Sequence, residues 1–151
     1  MVLYFSATGN TQYAAQQIAK ATGDTIVSKR NHIEDEHPRF HLKDHENFGI
    51  VMPTYFQGMS AFVHDFLKKM KLTMDGTDHY VYAVATCGMS DGNFGSQAVN
   101  TMKNSGLDLD SRYRKGAIRL PQRKKESSCP IILIKTRRKS WPKRMNKAVK
   151  P

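Results

Sequence analysis

The stretch "VLYFSATGNTQYAAQQIA", residues 2–19, decides the reading of the fold. Residues 2–5 form a short apolar run with strand character. Ser6, Ala7, Thr8, Gly9, Asn10 and Thr11 follow as a loop. Residues 11–22 then show helical spacing, with Ala14, Ile18 and Ala21 on one face and Gly23 as a C-terminal stop. A strand that passes through such a loop into a helix can seat a phosphate. Hydroxyls of Ser6, Thr8 and Thr11, the backbone N–H groups of the helix start and the positive end of its dipole can converge there. Gly9 permits the positive φ or close approach that the turn needs. The loop contains no Lys or Arg. A nucleoside triphosphate site would show GxxxxGK[ST], with its Lys on the outer phosphates; a dinucleotide site would show GxGxxG, whereas only Gly9 is present. Two readings remain: a phosphate monoester held without a cation from the loop, or an ordinary capped turn.

Outward from this stretch, strand and helix patterns alternate. Residues 25–29 read as a second strand. Residues 31–47 are polar, His-rich and broken by Pro38, and read as a connection with little regular structure. "FGIVM", residues 48–52, is the continuous apolar run of a strand covered on both faces. After a loop over residues 53–59, Ser60 is a good N-cap for a helix over 61–71, with Phe62, Val63, Phe66, Leu67 and Met70 as its buried stripe. Residues 80–86 read as a strand, 87–93 as a Gly-rich loop, 95–105 as a helix ending at Gly106, and 113–120 as a last strand. The alternation predicts an α/β fold: a doubly wound, five-stranded parallel sheet with right-handed crossovers. Ligands of such sheets bind beyond the C-terminal ends of the strands. The loops leaving those ends are residues 6–11, 53–59 and 86–94.

Residues 6–11 match the pattern [ST]-x-T-G-x-T in full, and residues 2–120 resemble the flavodoxin family. "YFSATGNT", "FGIVMPTYFQGM" and "YVYAVATCGMSDGN", in that order, most resemble the flavodoxin-like domain at the N-terminus of some bacterial and archaeal ferredoxin-type proteins. The resemblance implies FMN as cofactor, with its phosphate on Ser6 to Thr11. It implies that Pro53 and Thr54 belong to the second loop of the site, and that Tyr55, or Phe56 in its place, covers one face of the flavin ring. The Gln57–Gly58 peptide falls where flavodoxins turn a peptide towards the reduced flavin's N5, a turn that Gly58 would make easy. Thr86, Cys87, Gly88, Asp91, Gly92 and Asn93 fall near the pyrimidine edge, and Phe94 is the candidate for a second ring-face aromatic. The implied function is electron transfer with a redox partner protein, such as a ferredoxin or a reductase. An FMN-dependent NAD(P)H or quinone reductase is the alternative.

The 151 residues suffice for one domain with a real core, and no apolar run is long enough to span a membrane. The N-terminus lacks a basic region before its apolar stretch, so a cytoplasmic protein is expected. Cys87 and Cys129 form no CxxC, which argues against a zinc ribbon, a dithiol motif or an iron–sulfur cluster. Cys87 itself reads more naturally as a small packing residue than as a redox thiol. His37, His41 and His45 recur at four-residue spacing, yet Pro38 interrupts them and a solvated loop is favoured over a metal site. The net charge of +11 is unevenly spread: residues 1–110 hold 9 basic and 12 acidic side chains, whereas residues 111–151 hold 15 basic side chains and one acid. The expected organisation is a flavodoxin-like domain over 1–121 and a basic extension over 122–151. The abrupt change after Leu120-Pro121 predicts a truncated or aberrant end in place of the family's closing helix, with a homodimer as one consequence. The apolar "CPIILI" inside the extension reads as a strand or a partner-binding segment. Nucleic-acid binding through the basic charge is a further, less favoured reading.

Overall fold

A computed structural model describes residues 1–29, 35–76, 79–88, 90, 92–107 and, as backbone alone, 131–135. The elements in chain order are β1 (Val2–Tyr4), α1 (Asn10–Thr22), β2 (Ile26–Ser28), β3 (Arg39–Leu42), β4 (Phe48–Tyr55), β5 (Gly58–Met59), α2 (Ala61–Lys69), β6 (Lys71–Met74), β7 (Val81–Thr86), α3 (Phe94–Asn104) and β8 (Ile131–Lys135). The main sheet runs β2-β1-β4-β7-β8. Its first four strands are parallel, as the alternation of strands and helices requires.

Side-chain alternation along the strands divides the core in two. Leu3, Phe5, Ile50, Met52, Ala83 and Ala85 face α2 and α3, where Val63, Phe66, Leu67, Ala98 and Met102 cover them. Val2, Val51, Tyr82 and Val84 face α1, against Ala14, Ala15 and Ala19. Helices therefore cover both faces, and the expected doubly wound α/β fold is present. The buried side of α1 is Thr11, Ala14, Ala15 and Ala19; Ala21 lies towards its edge.

The structure departs from expectation in three places. The fifth strand is antiparallel: β8 pairs with β7 from Thr86↔Ile131 to Tyr82↔Lys135. It comes from the apolar run inside the basic extension; residues 113–120 lie outside the described residues. An antiparallel edge strand does not require a crossover helix, so this edge needs no further βα unit. The His-rich connection contains β3, whose exposed–buried alternation over Arg39–Leu42 pairs in parallel with β6 as a separate two-stranded sheet. That pairing ends α2 at Lys69: Met70 is already extended, at φ −65° and ψ 134°, and Lys71 opens β6. Phe62, assigned to the buried stripe of α2, is instead more than half exposed.

One contact fixes how closely the two central strands pack. Gly49 lies opposite Tyr82 in the β4–β7 register, and a Cβ on Gly49 would overlap the Tyr82 ring. Tyr82 is fully buried, and its hydroxyl has no hydrogen-bond partner among the described residues. Burial, reinforced by the Asp24 carboxylate and Tyr80, pushes that hydroxyl far above the ordinary phenol range. Gly49→Ala is expected to lower stability by about 2–3 kcal/mol, because the ring cannot yield within a packed layer. Tyr82→Phe removes an unsatisfied hydroxyl while keeping the ring, and is expected to be neutral or stabilising by up to about 1 kcal/mol. Urea unfolding midpoints of the two variants check both signs.

Candidate functional site

The loops that follow β1, β4 and β7 meet at one end of the sheet, and Thr86 joins them. Its hydroxyl shares a 2.7 Å hydrogen bond with the Thr11 hydroxyl, and its carbonyl accepts from the Thr54 hydroxyl at 3.4 Å. Both Thr11 and Thr86 are buried, so these two side chains act as struts beneath the loops. Cys87, just beyond, is buried within the core.

The first loop is exposed from Ser6 to Asn10. Gly9 adopts φ 92°, the left-handed backbone expected of it, and its N–H donates to the Ser6 hydroxyl oxygen at 3.0 Å. The first intrahelical bond of α1 runs from the Tyr13 N–H to the Gly9 carbonyl at 2.9 Å. Asn10, Thr11 and Gln12 therefore keep their N–H groups outside the helical ladder, and no side chain caps them. The helix start is open, with the Ser6 hydroxyl beside it and Thr8 exposed in the same loop.

The second loop is a tight hairpin. β4 continues through Pro53 and Thr54 to Tyr55, which pairs with Gly58, leaving Phe56 and Gln57 as the two turn residues. Both have left-handed backbone, at φ 50° and 61°, the signature of a type I′ turn built without glycine. Gly58 itself is not left-handed; it is buried, and a Cβ there would stand 2.7 Å from the Gln97 amide oxygen. That same oxygen accepts the Met59 N–H at 2.7 Å, and the Gln57 carbonyl accepts the Asn93 N–H at 2.9 Å. The second loop is thus latched at two points, once to the third loop and once to α3. Tyr55 is partly exposed and Phe56 entirely so, hence neither is a core residue.

In the third loop, Gly88, Gly92 and Asn93 are exposed, and the Ser90 hydroxyl accepts the Gly92 N–H at 3.1 Å. Gly92 packs so closely on the Gln57 backbone that a Cβ would overlap it. Asp91 lies outside the described residues. Phe94 does not reach the site: it opens α3 with its ring fully buried in the core, which corrects its assignment as a ring-face aromatic. A helix's first residue can face inward as readily as outward, and here the packing against α2 decides.

A cavity of about 630 Å³ lies between the first two loops, with Ser6, Gly9, Pro53 and Tyr55 in its wall. Lys29 is also in that wall. It follows Ser28, which pairs with Tyr4, so the β1–β2 register brings Lys29 level with the approach to the first loop. Burial lowers the pKa of its ammonium. Sequence inspection of the first loop missed this residue, because it reaches the site through strand pairing and lies 18 positions beyond Thr11. Of the histidines, His41 bonds Thr73 at 3.0 Å and Asp75 at 3.1 Å on the small sheet, remote in chain terms from the three loops.

The family model for a flavodoxin domain matches residues 1–124. The chain belongs to the flavodoxin family. No curated protein and no solved structure shows a significant match to it. Flavodoxin domains generally bind flavin, and the open helix start, its hydroxyls and the adjoining hairpin suit the phosphate end of such a cofactor. Among the described residues, no helix of this flavodoxin is long and apolar enough to cross a membrane.

Two consecutive left-handed non-glycine residues store strain at this flavodoxin's hairpin tip. Replacing the turn by Phe56→Asn with Gln57→Gly is expected to raise stability by about 1–2 kcal/mol, measured by thermal or urea unfolding of the apoprotein.

Proposed function

We propose that residues 1–121 form an FMN-binding domain that transfers electrons, and that residues 122–151 are a basic extension of it. The observation that carries this reading is the uncapped start of α1, with the Ser6 hydroxyl beside it and Tyr55 of the hairpin in the wall of the same cavity. The helix start and the hydroxyls would hold the phosphate. Tyr55 or Phe56 would lie against the flavin ring, and backbone N–H groups of the third loop, around Gly88 and Gly92, would meet its pyrimidine edge. The flavin supplies the redox chemistry; the chain supplies position and electrostatics. The Gln57 carbonyl rests on the Asn93 N–H, so turning that peptide would break a bond worth about 1 kcal/mol and give the loop a defined resting state. The partner is a redox protein such as a ferredoxin or a reductase.

A reductase reading has one observation in its favour. Phe94 is buried, and no other aromatic occurs among the described residues of the third loop. One ring face would then be open to a nicotinamide or quinone substrate. Steady consumption of NAD(P)H by the FMN-loaded protein would select this reading over the carrier.

Titration of the purified protein into FMN checks the central claim through quenching of flavin fluorescence. One equivalent is expected to saturate, and Tyr55→Ala is expected to weaken binding about tenfold through lost ring contact. Failure of the folded protein to bind micromolar FMN would overturn the proposal.

A further inference from the structure

We propose that Lys29 is the counter-ion of the phosphate seat, placing its ammonium opposite an anionic group bound on the first loop. This rests on the reading of that loop as a phosphate site, though not on any contact with a flavin ring.

Lys29 is 5% exposed, and among the described residues its ammonium meets no carboxylate and no hydrogen-bond acceptor. Its neighbours are ring faces: the Nζ lies 4.3 Å from the Phe62 centroid and 5.1 Å from that of Phe66. Cation–π contacts of this kind are weaker than an ion pair. The ammonium is not sealed in, and a bound anion in the cavity beside it would give it an opposite charge.

The cavity supplies the place for it. Lys29 shares the cavity wall with Ser6, Ala7 and Gly9 of the first loop, and among the described residues it is the sole charged one in that wall. Among the described residues of that wall, no acid competes for the ammonium or repels an incoming anion. Ser28 and Ser60 add hydroxyls on the same wall. An open helix start, several hydroxyls and one cation together suit a phosphate monoester. A volume of about 630 Å³ exceeds what phosphate alone would fill, leaving room for the organic group it carries, against Tyr55 and Phe62.

Two ligands and two variants test this on the full-length chain. Inorganic phosphate, at constant ionic strength against chloride, is expected to raise the melting temperature of the wild type and of Lys29→Arg but not of Lys29→Met. Lys29→Met keeps the aromatic contacts, so it is expected to weaken FMN binding about ten- to a hundredfold while changing riboflavin affinity less than about twofold. Riboflavin lacks the phosphate, so equal weakening of both flavins would mark a packing role and overturn the proposal. An unchanged FMN affinity, or a phosphate response retained in Lys29→Met, would also overturn it. If Lys29→Met does not fold, the Lys29 side-chain resonance of lysine-labelled wild-type protein decides, assigned through Lys29→Arg: movement on adding phosphate supports the proposal and its absence refutes it. Phosphate binding without flavin binding would leave this inference standing and remove the FMN reading. Flavin binding indifferent to Lys29 would do the reverse.

Discussion

A parallel strand buried on both faces can offer polar groups to a ligand only at its ends. β4 and β7 are strands of this kind, buried from Phe48 to Met52 and from Val81 to Thr86. Their shared register keeps helices on either side and sends the chain out into loops at one edge. The tightness of that layer depends on a glycine: Gly49 yields the space that the Tyr82 ring occupies. At the sheet's end the first, second and third loops have exposed backbone and side-chain atoms outside the ladder.

Those loops are held together from below. Thr86 ties the first loop through Thr11 and the second through Thr54, while Asn93 and Gln97 hold the hairpin from the other side. The division of labour is clear by residue. Buried and half-buried hydroxyls and a half-buried amide oxygen serve as fastenings, and the exposed hydroxyls, glycines and hairpin aromatics remain available. Strain collects at Phe56 and Gln57, which the fastenings on both flanks hold in left-handed backbone.

The parts legible in the sequence were those encoded locally. The first loop could be read because a hydroxyl pattern, Gly9 and a helical period occur within a few residues of one another, and Ser60 could be read as a cap, a role its 3.3 Å bond from the Val63 N–H bears out. β3 and β6 were hidden because each is four residues long and finds its partner across β4, β5 and α2. Phe94 was misplaced because the side of α3 that packs inward depends on α2. Lys29 and Gln97 reach the loops only through strand pairing and helix packing, which no local pattern shows. The apolar run in the basic extension did become a strand, but its antiparallel direction depends on which edge it meets, and β7 supplies that edge.

The small β3–β6 sheet looks peripheral, yet it anchors α2. The helix is fixed at its start by the Ser60 cap and at its end by β6, whose Lys71 N–H bonds the Pro38 carbonyl at 2.9 Å; the Ser105 hydroxyl also holds the Leu67 carbonyl at 2.7 Å. Phe62 and Phe66 ride on that helix, and they are the two rings in contact with the Lys29 ammonium. A charge framed by parts clamped in this way has little freedom to rearrange. Its field is set when the chain folds, so an anion arriving there would meet electrostatics already in position and incur little reorganisation cost. A two-stranded ribbon outside the three loops would thereby govern how ready the Lys29 cavity is to receive one.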